Sequence, residues 1–168
     1  GMKGMIQGGA SSGGGGANRE AIKKWQSIQK EHGIDTELGE NLRIGYNFYI
    51  AESKEKAIEE VKHFFEESVK MFGPLGFIRG LSGSQIDSLA QGGAQARSAA
   101  LPTLEQGVES RSWIVGTPED IKEQLFDIQK NYPGLTDINV MQIPGIPESV
   151  ILEQIERFAL EVMPSFIS

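Results

Sequence analysis

Hydrophobic residues recur along this chain with two periods, and the period decides the element. Over residues 42–51, Leu42, Ile44, Tyr46, Phe48 and Ile50 alternate with Arg43, Gly45, Asn47, Tyr49 and Ala51. Strict alternation puts the first set on one face of a strand and the second, small or polar set on the other. A strand of this kind lines a barrel interior or a ligand pocket, or lies half exposed, and periodicity leaves these open. Elsewhere the period is helical. Ala21, Ile22, Trp25 and Ile28 share an apolar face over residues 18–32. Asn18 is the expected N-cap there, Glu20 suits the positive end of the dipole, and Gly33 is the stop. Ser53 caps a second helix, which carries Ala57, Ile58, Val61, Phe64, Phe65, Val69 and Phe72 and ends before Gly73-Pro74.

The last third of the chain has the clearest punctuation. Trp113-Ile114-Val115 is a short apolar run, and Gly116 turns it into a helix. Thr117 is the N-cap, Pro118 sits at N1, and Asp120 follows three residues after the cap in a capping-box pattern. Ile121, Leu125 and Ile128 form the buried stripe, and Asn131-Tyr132-Pro133-Gly134 is the stop. Residues 137–143 read as a second strand. Pro144-Gly145-Ile146-Pro147 then leads into a closing helix that packs through Val150, Ile151, Ile155, Phe158, Ala159 and Val162, until Pro164 ends it.

Two stretches have no such pattern. Residues 1–17 are Gly/Ser-rich, and the dipeptide Gly1-Met2 reads as a cleavage scar before the natural start. Gly13 to Gly16 run into a helix, as a phosphate-cradling loop would. However, neither G-x-G-x-x-G followed by an acid nor G-x-x-x-x-G-K-[ST] is present, so residues 1–17 read as a flexible leader before a single α/β domain over 18–168. Residues 74–111 carry loop signals and a weak, Ala-rich helix. Within them, Gly80-Leu81-Ser82-Gly83-Ser84 has a serine where a nucleophile elbow needs its second glycine, and serine-hydrolase chemistry is rejected. This stretch has the character of a loop over a site.

Composition narrows the function classes. With 16 basic against 23 acidic residues, the net charge of −7 lacks the basic face of a nucleic-acid binder. The absence of cysteine rules out disulfides, thiolate metal sites and a cysteine nucleophile, and His32 and His63 stand too far apart to suggest a metal pair. No apolar run reaches the ~18 residues of a membrane span, and the start lacks a signal-peptide core. The expectation is a cytoplasmic protein with no membrane or nucleic-acid partner.

Helix, strand, helix, loop, helix, strand, helix is the grammar of an α/β layer or barrel. The runs Ile114-Val115-Gly116-Thr117-Pro118-Glu119-Asp120, Glu123-Gln124-Leu125 and Pro144-Gly145-Ile146-Pro147 resemble the C-terminal end of the bacterial-luciferase-like, flavin-dependent monooxygenases. Phe158-Ala159-Leu160-Glu161-Val162-Met163-Pro164 is similar to that family's closing helix. Arg43 to Ala57 resembles its late strand and following helix, and Ala17 to Gly33 the helix before them.

The resemblance implies a (β/α)8 barrel that uses reduced FMN, or a related flavin, and O2 to oxygenate a small organic molecule. A complete barrel takes ~250 residues, so the implied fold is a partial, helix-rich barrel with C-terminal β/α units only, the last quarter to third of such an enzyme. The family's catalytic residues and most flavin contacts belong to segments this chain does not contain, and the resemblance assigns none here. The candidate pocket contacts are Tyr49 and Gln142, polar residues near the C-terminal ends of the two strands, which also read as ordinary strand-end side chains. Unpaired strand edges call for a homo-oligomer or a complementing chain. Two other readings stand beside this one: a non-catalytic oligomerising module derived from the family, and an unrelated small α/β binding protein.

Overall fold

The structure, a computed structural model, describes residues 3–6, 17–72, 87–88, 91, 103–109, 111–141 and 143–167. In chain order the elements are β1 (Gly4–Ile6), α1 (Ala17–Glu31), β2 (Leu42–Ile50), α2 (Lys54–Phe72), α3 (Leu104–Glu109), β3 (Trp113–Gly116), α4 (Pro118–Asn131), β4 (Asp137–Met141) and α5 (Glu148–Arg157). A π-helical turn, Phe158–Val162, and a 3-10 turn, Met163–Ser165, continue α5.

All strand pairing runs through β2, and all of it is parallel. β1 lies along residues 42–44, β3 along 47–50 and β4 along 43–47. Residues 43 and 44 therefore pair with both β1 and β4, and Asn47 with both β3 and β4. A strand residue has two edges only, so β4 holds one edge while β1 and β3 share the other, end to end. The backbone bonds agree. Gly4 N–H donates to Asn41 O and Ala51 N–H to Gly116 O, so odd-numbered β2 positions address the shared edge. Four strands thus make a sheet only three strands wide.

Crossover direction fixes which face each helix covers. Parallel connections keep one hand, so steps in the same direction put their helices on the same face and a reversed step uses the opposite face. The steps β1→β2 and β3→β4 run one way. Accordingly, Ile22 of α1 and Ile121, Leu125 and Ile128 of α4 pack on Leu42, Ile44, Tyr46, Phe48 and Ile50, with Phe158 and Val162 closing the cluster. The step β2→β3 runs back. Ala57, Val61, Phe65 and Val69 of α2 and Leu104 and Val108 of α3 therefore cover the other face, over Tyr49, Ala51 and Val115.

Among the described residues the helices cover that second face toward the C-terminal end of β2. Toward its start lie Met5, Arg43, Asn47, Asp137 and Asn139, which share the face by register and are all exposed or half-buried. Asp137 joins the three strands there, 3.2 Å from Lys3 Nζ and 3.8 Å from Arg43. The two cations, Lys3 foremost, hold its carboxyl below the usual range.

Several expectations change. Residues Gly4–Ile6, assigned by composition to a flexible leader, form β1, because β2 offers an open edge to any extended segment. Asn18 lies inside α1, not before it. Ala21 and Ile28 are exposed, and on α5 so are Ile155 and Ala159, whereas Gln154 takes the buried position. The capping box is as read: Thr117 N–H and Oγ1–H donate to Asp120 Oδ2 at 2.9 and 2.8 Å, and Asp120 N–H returns to Thr117 Oγ1 at 3.2 Å. The Gly80–Ser84 motif lies outside the described residues. Among those that are described, no helix is long and apolar enough to cross a membrane.

Candidate functional site

In parallel α/β folds the residues that meet ligands gather at the C-terminal ends of the strands. Here that rim comprises Tyr49 and Ala51 after β2, the Gly116-Thr117 turn after β3, Glu60 of α2, and Gln154 and Arg157 of α5. Gln142 lies outside the described residues.

Tyr49 is buried among α2 side chains. Its hydroxyl donates to the Glu60 carboxylate, and burial first, then the negative charges of Glu60 and Glu153, push the phenol up to about 12 against the partial pull of Arg157. The group is therefore a neutral hydrogen-bond donor throughout the physiological range. A phenol raised in the folded state contributes stability that is complete below the unfolded value of 10.0 and is lost as pH climbs through the folded value. Urea midpoints are thus expected to fall between about pH 10 and 12, and more steeply in the wild type than in Tyr49→Phe. Equal slopes in the two proteins would show that water reaches the hydroxyl.

Gln154 sits beside it, 2% exposed. β4 stops pairing at Asn47, whereas β2 runs on to Ile50. Even-numbered residues address the β4 edge, so the N–H and C=O of Ile50 face a gap in the sheet. The Gln154 amide fills it: Oε1 accepts from Ile50 N–H at 2.6 Å, and Nε2 donates to Ile50 O at 3.0 Å. Arg157 NH1 donates to the same carbonyl at 3.0 Å and is itself held by Glu161, Nε to Oε1, at 2.9 Å. Sequence reading missed both residues. The available signal was Gln154 itself, an amide standing four residues from Val150 and from Phe158 on the stripe that packs.

The Gly116-Thr117 turn is built for closure. Gly116 has φ +154°, and a Cβ there would lie 2.7 Å from Asp120 Cβ, so only glycine lets the capping carboxylate come this close. The N-terminus of α4 consequently spends its donors on Thr117 and Asp120. Among the described residues no group of His, Cys, Asp or Glu could hold a metal ion. An open groove of about 400 Å³ lies along the C-terminal half of α1, lined by Lys23, Gln26, Lys30, Asp35 and Thr36. Because α1 runs against the strands, it belongs to the opposite end of the sheet, and Gln26 and Thr36 are bonded across it.

A flavin phosphate needs free N–H groups or an unengaged cation. Among the described residues the rim offers neither: the α4 N-terminus is self-capped and Arg157 is bound on both sides. The described rim residues therefore supply no grip on a phosphate.

No protein-family model and no curated protein matches the chain. Solved structures do. Monooxygenase RslO1 from Streptomyces bottropensis aligns at TM-score 0.59 and 18% identity, over 97% of this chain and 41% of its own. The oxygenating constituent of 3,6-diketocamphane monooxygenase of Pseudomonas putida, a type II Baeyer-Villiger monooxygenase in complex with FMN, aligns at 0.57 and 15%, over 87% and 39%. Riboflavin lyase RcaE, with modified FMN and substrate riboflavin, aligns at 0.57 and 16%, over 98% and 38%. The chain spans about two fifths of the length of each, more than the quarter to third expected. At these identities the likeness is one of fold, a helix-rich α/β arrangement on a parallel sheet that this chain shares with part of three flavin-linked or oxygenating enzymes.

Proposed function

We propose that the chain is the C-terminal part of a luciferase-like flavin-dependent monooxygenase, whose activity on a small organic substrate requires strands beyond the four described. The observation that carries this reading is the fold match itself, nearly complete for this chain and about two fifths of each enzyme. The topology supports it. β1, β2 and β4 step in one direction with α1 and α4 on one face, as consecutive units of a (β/α)8 barrel do. The α2–α3–β3 excursion then lies over the C-terminal end of the face a barrel keeps inside, where it caps the site.

On this reading reduced FMN and O2 supply the oxygenating chemistry. This chain supplies a wall: the mixed face of β2 and β4 lines the interior, Tyr49 stands at the rim, and α2 excludes water from Tyr49. The completing strands supply the phosphate grip and the catalytic groups. Flavin fluorescence tests the division. The chain alone is expected to leave FMN unquenched, and co-expression with the front part of a related barrel is expected to restore stoichiometric quenching. Failure of every complementing piece would overturn the flavin reading, and quenching by the chain alone would overturn the wall-only role.

A non-catalytic oligomerising module is the second reading. It is favoured by the outer edges of β1, β3 and β4, none of which has a strand partner among the described residues.

A further inference from the structure

Exposed apolar surface is concentrated in one place. Seven of the eleven large hydrophobic side chains exposed among the described residues belong to α4, α5 and the residues that follow α5. On α5 and its continuation, Gln154, Phe158 and Val162 face the core, while Leu152 (60% exposed), Ile155 (47%), Leu160 (69%) and Met163 (42%) face out. In an unbroken α-helix Met163 would lie under Leu152, but Ile155 and Leu160 would diverge to opposite sides of that line. The π-helical turn at Phe158–Val162 adds residues per turn and brings Leu160 and Met163 back under Leu152 and Ile155.

The spacing of this stripe is symmetric. Leu152 precedes the peptide between Arg157 and Phe158 by as many residues as Met163 follows it, and Ile155 and Leu160 flank it equally. An antiparallel second copy, related by a twofold axis at that peptide, would set Leu152 against Met163 and Ile155 against Leu160, twice each. Isologous interfaces require this self-complementarity. At the Met163 end, Phe126 and Phe166 stack with ring centroids 4.5 Å apart and stay partly exposed. These six side chains leave roughly 600 Å² of apolar surface, at about 200 Å² for a whole large side chain. That approaches the ~800 Å² per partner of a standard interface and reaches the upper limit of patches usual on monomers.

We infer that the outer face of α5 and its π-helical continuation is a homodimer interface, in which a second copy of this chain docks antiparallel across the 157–158 peptide. The stripe faces away from Gln154 and the edge of β2 that it fills, and the inference stands whether or not flavin binds.

Sedimentation velocity from low to high micromolar concentration, together with cysteine cross-linking, tests it. The wild type is expected to show a monomer–dimer equilibrium, and Leu160→Glu with Met163→Glu is expected to weaken it by more than about tenfold. At concentrations where the wild type is monomeric the thermal midpoint should hold, because both side chains are exposed in the single chain. The chain has no cysteine, so introduced thiols report without interference. Leu152→Cys with Met163→Cys is expected to form a covalent dimer on oxidation, and Leu152→Cys alone to remain uncross-linked, since residue 152 meets 163 and not itself. A wild type that sediments as one chain at every concentration overturns the proposal. So does a dimer that survives both glutamates, which strand edges would then be holding, or a Leu152→Cys protein that cross-links by itself, which would make the helices parallel.

Discussion

Replacing Gln154 with leucine is expected to lower the unfolding free energy by about 3 kcal/mol, although the substitution puts an apolar side chain into an apolar surrounding. The reason is the backbone it would abandon. Ile50 N–H has the Gln154 amide oxygen as its partner, and a buried donor left unsatisfied costs about 1–3 kcal/mol. Ile50 O fares better, because Arg157 NH1 still reaches it, so its loss is closer to the ~1 kcal/mol of one net hydrogen bond. Leucine's own burial offsets part of the sum. Glutamate separates the two halves of the amide. Gln154→Glu keeps an acceptor for Ile50 N–H but aims a second oxygen at Ile50 O, which raises the folded value of the new carboxyl above the ~4.3 of an unfolded glutamate. A raised group stabilises below its unfolded value and loses that contribution as pH rises through the folded one. The glutamate variant is therefore expected to approach the wild type in acid and to weaken toward neutrality, while the leucine variant stays uniformly weak. Urea unfolding with an unchanged slope measures both. A leucine variant within about 1 kcal/mol of the wild type would mean that water satisfies Ile50.

The sequence displays whatever depends on local pattern. The alternation of 42–51 made β2 plain because both faces of that strand are coded by its own residues. Thr117, Pro118 and Asp120 predicted the start of α4 because a capping box is closed within four residues. Elements that depend on partners stayed hidden. Gly4-Met5-Ile6 is a strand-like run too short to outweigh the glycines around it, and it becomes a strand because β2 has an open edge beside residues 42–44. The reversal that puts β3 on that same edge is a property of the whole topology, and so is the burial of Tyr49 beneath α2. On α5 and its continuation the helical period was right, and Val150, Ile151, Phe158 and Val162 pack inward as read, but two positions do not. Ile155 and Ala159 were placed inward by hydrophobicity, but Gln154 holds the inner position because Ile50 needs an amide there. Ile155, displaced outward, joins Leu152, Leu160 and Met163 in the stripe on which the proposed dimer rests. Tyr49 was read from its place at a strand end, and the structure adds the carboxylate it meets.

The second large effect is expected at Phe48. Its side chain is 1% exposed, and its ring meets that of Phe158 edge-on at 5.1 Å between centroids, which joins the central strand to the π-helical turn. Truncating either ring to alanine is expected to cost about 3–5 kcal/mol, the transfer loss plus the cavity. Two such losses taken independently would exceed much of the ~5–15 kcal/mol that holds a domain folded. They are not independent. Once Phe48 is gone, Phe158 faces a void, so Phe48→Ala with Phe158→Ala should lose less than the sum, by the ~0.5–1.5 kcal/mol of an edge-to-face pair or more. Val61 lies across the sheet in the other cluster. Phe48→Ala with Val61→Ala should therefore add within about 0.5 kcal/mol. Urea titration of the three single and two double variants distinguishes two architectures. Coupling confined to Phe48 and Phe158 means that the two faces pack as separate layers on a rigid sheet. Equal coupling to Val61 would mean that the sheet gives way when either layer is hollowed, as expected where one edge of β2 at Ile50 is held by a glutamine side chain and not by a strand.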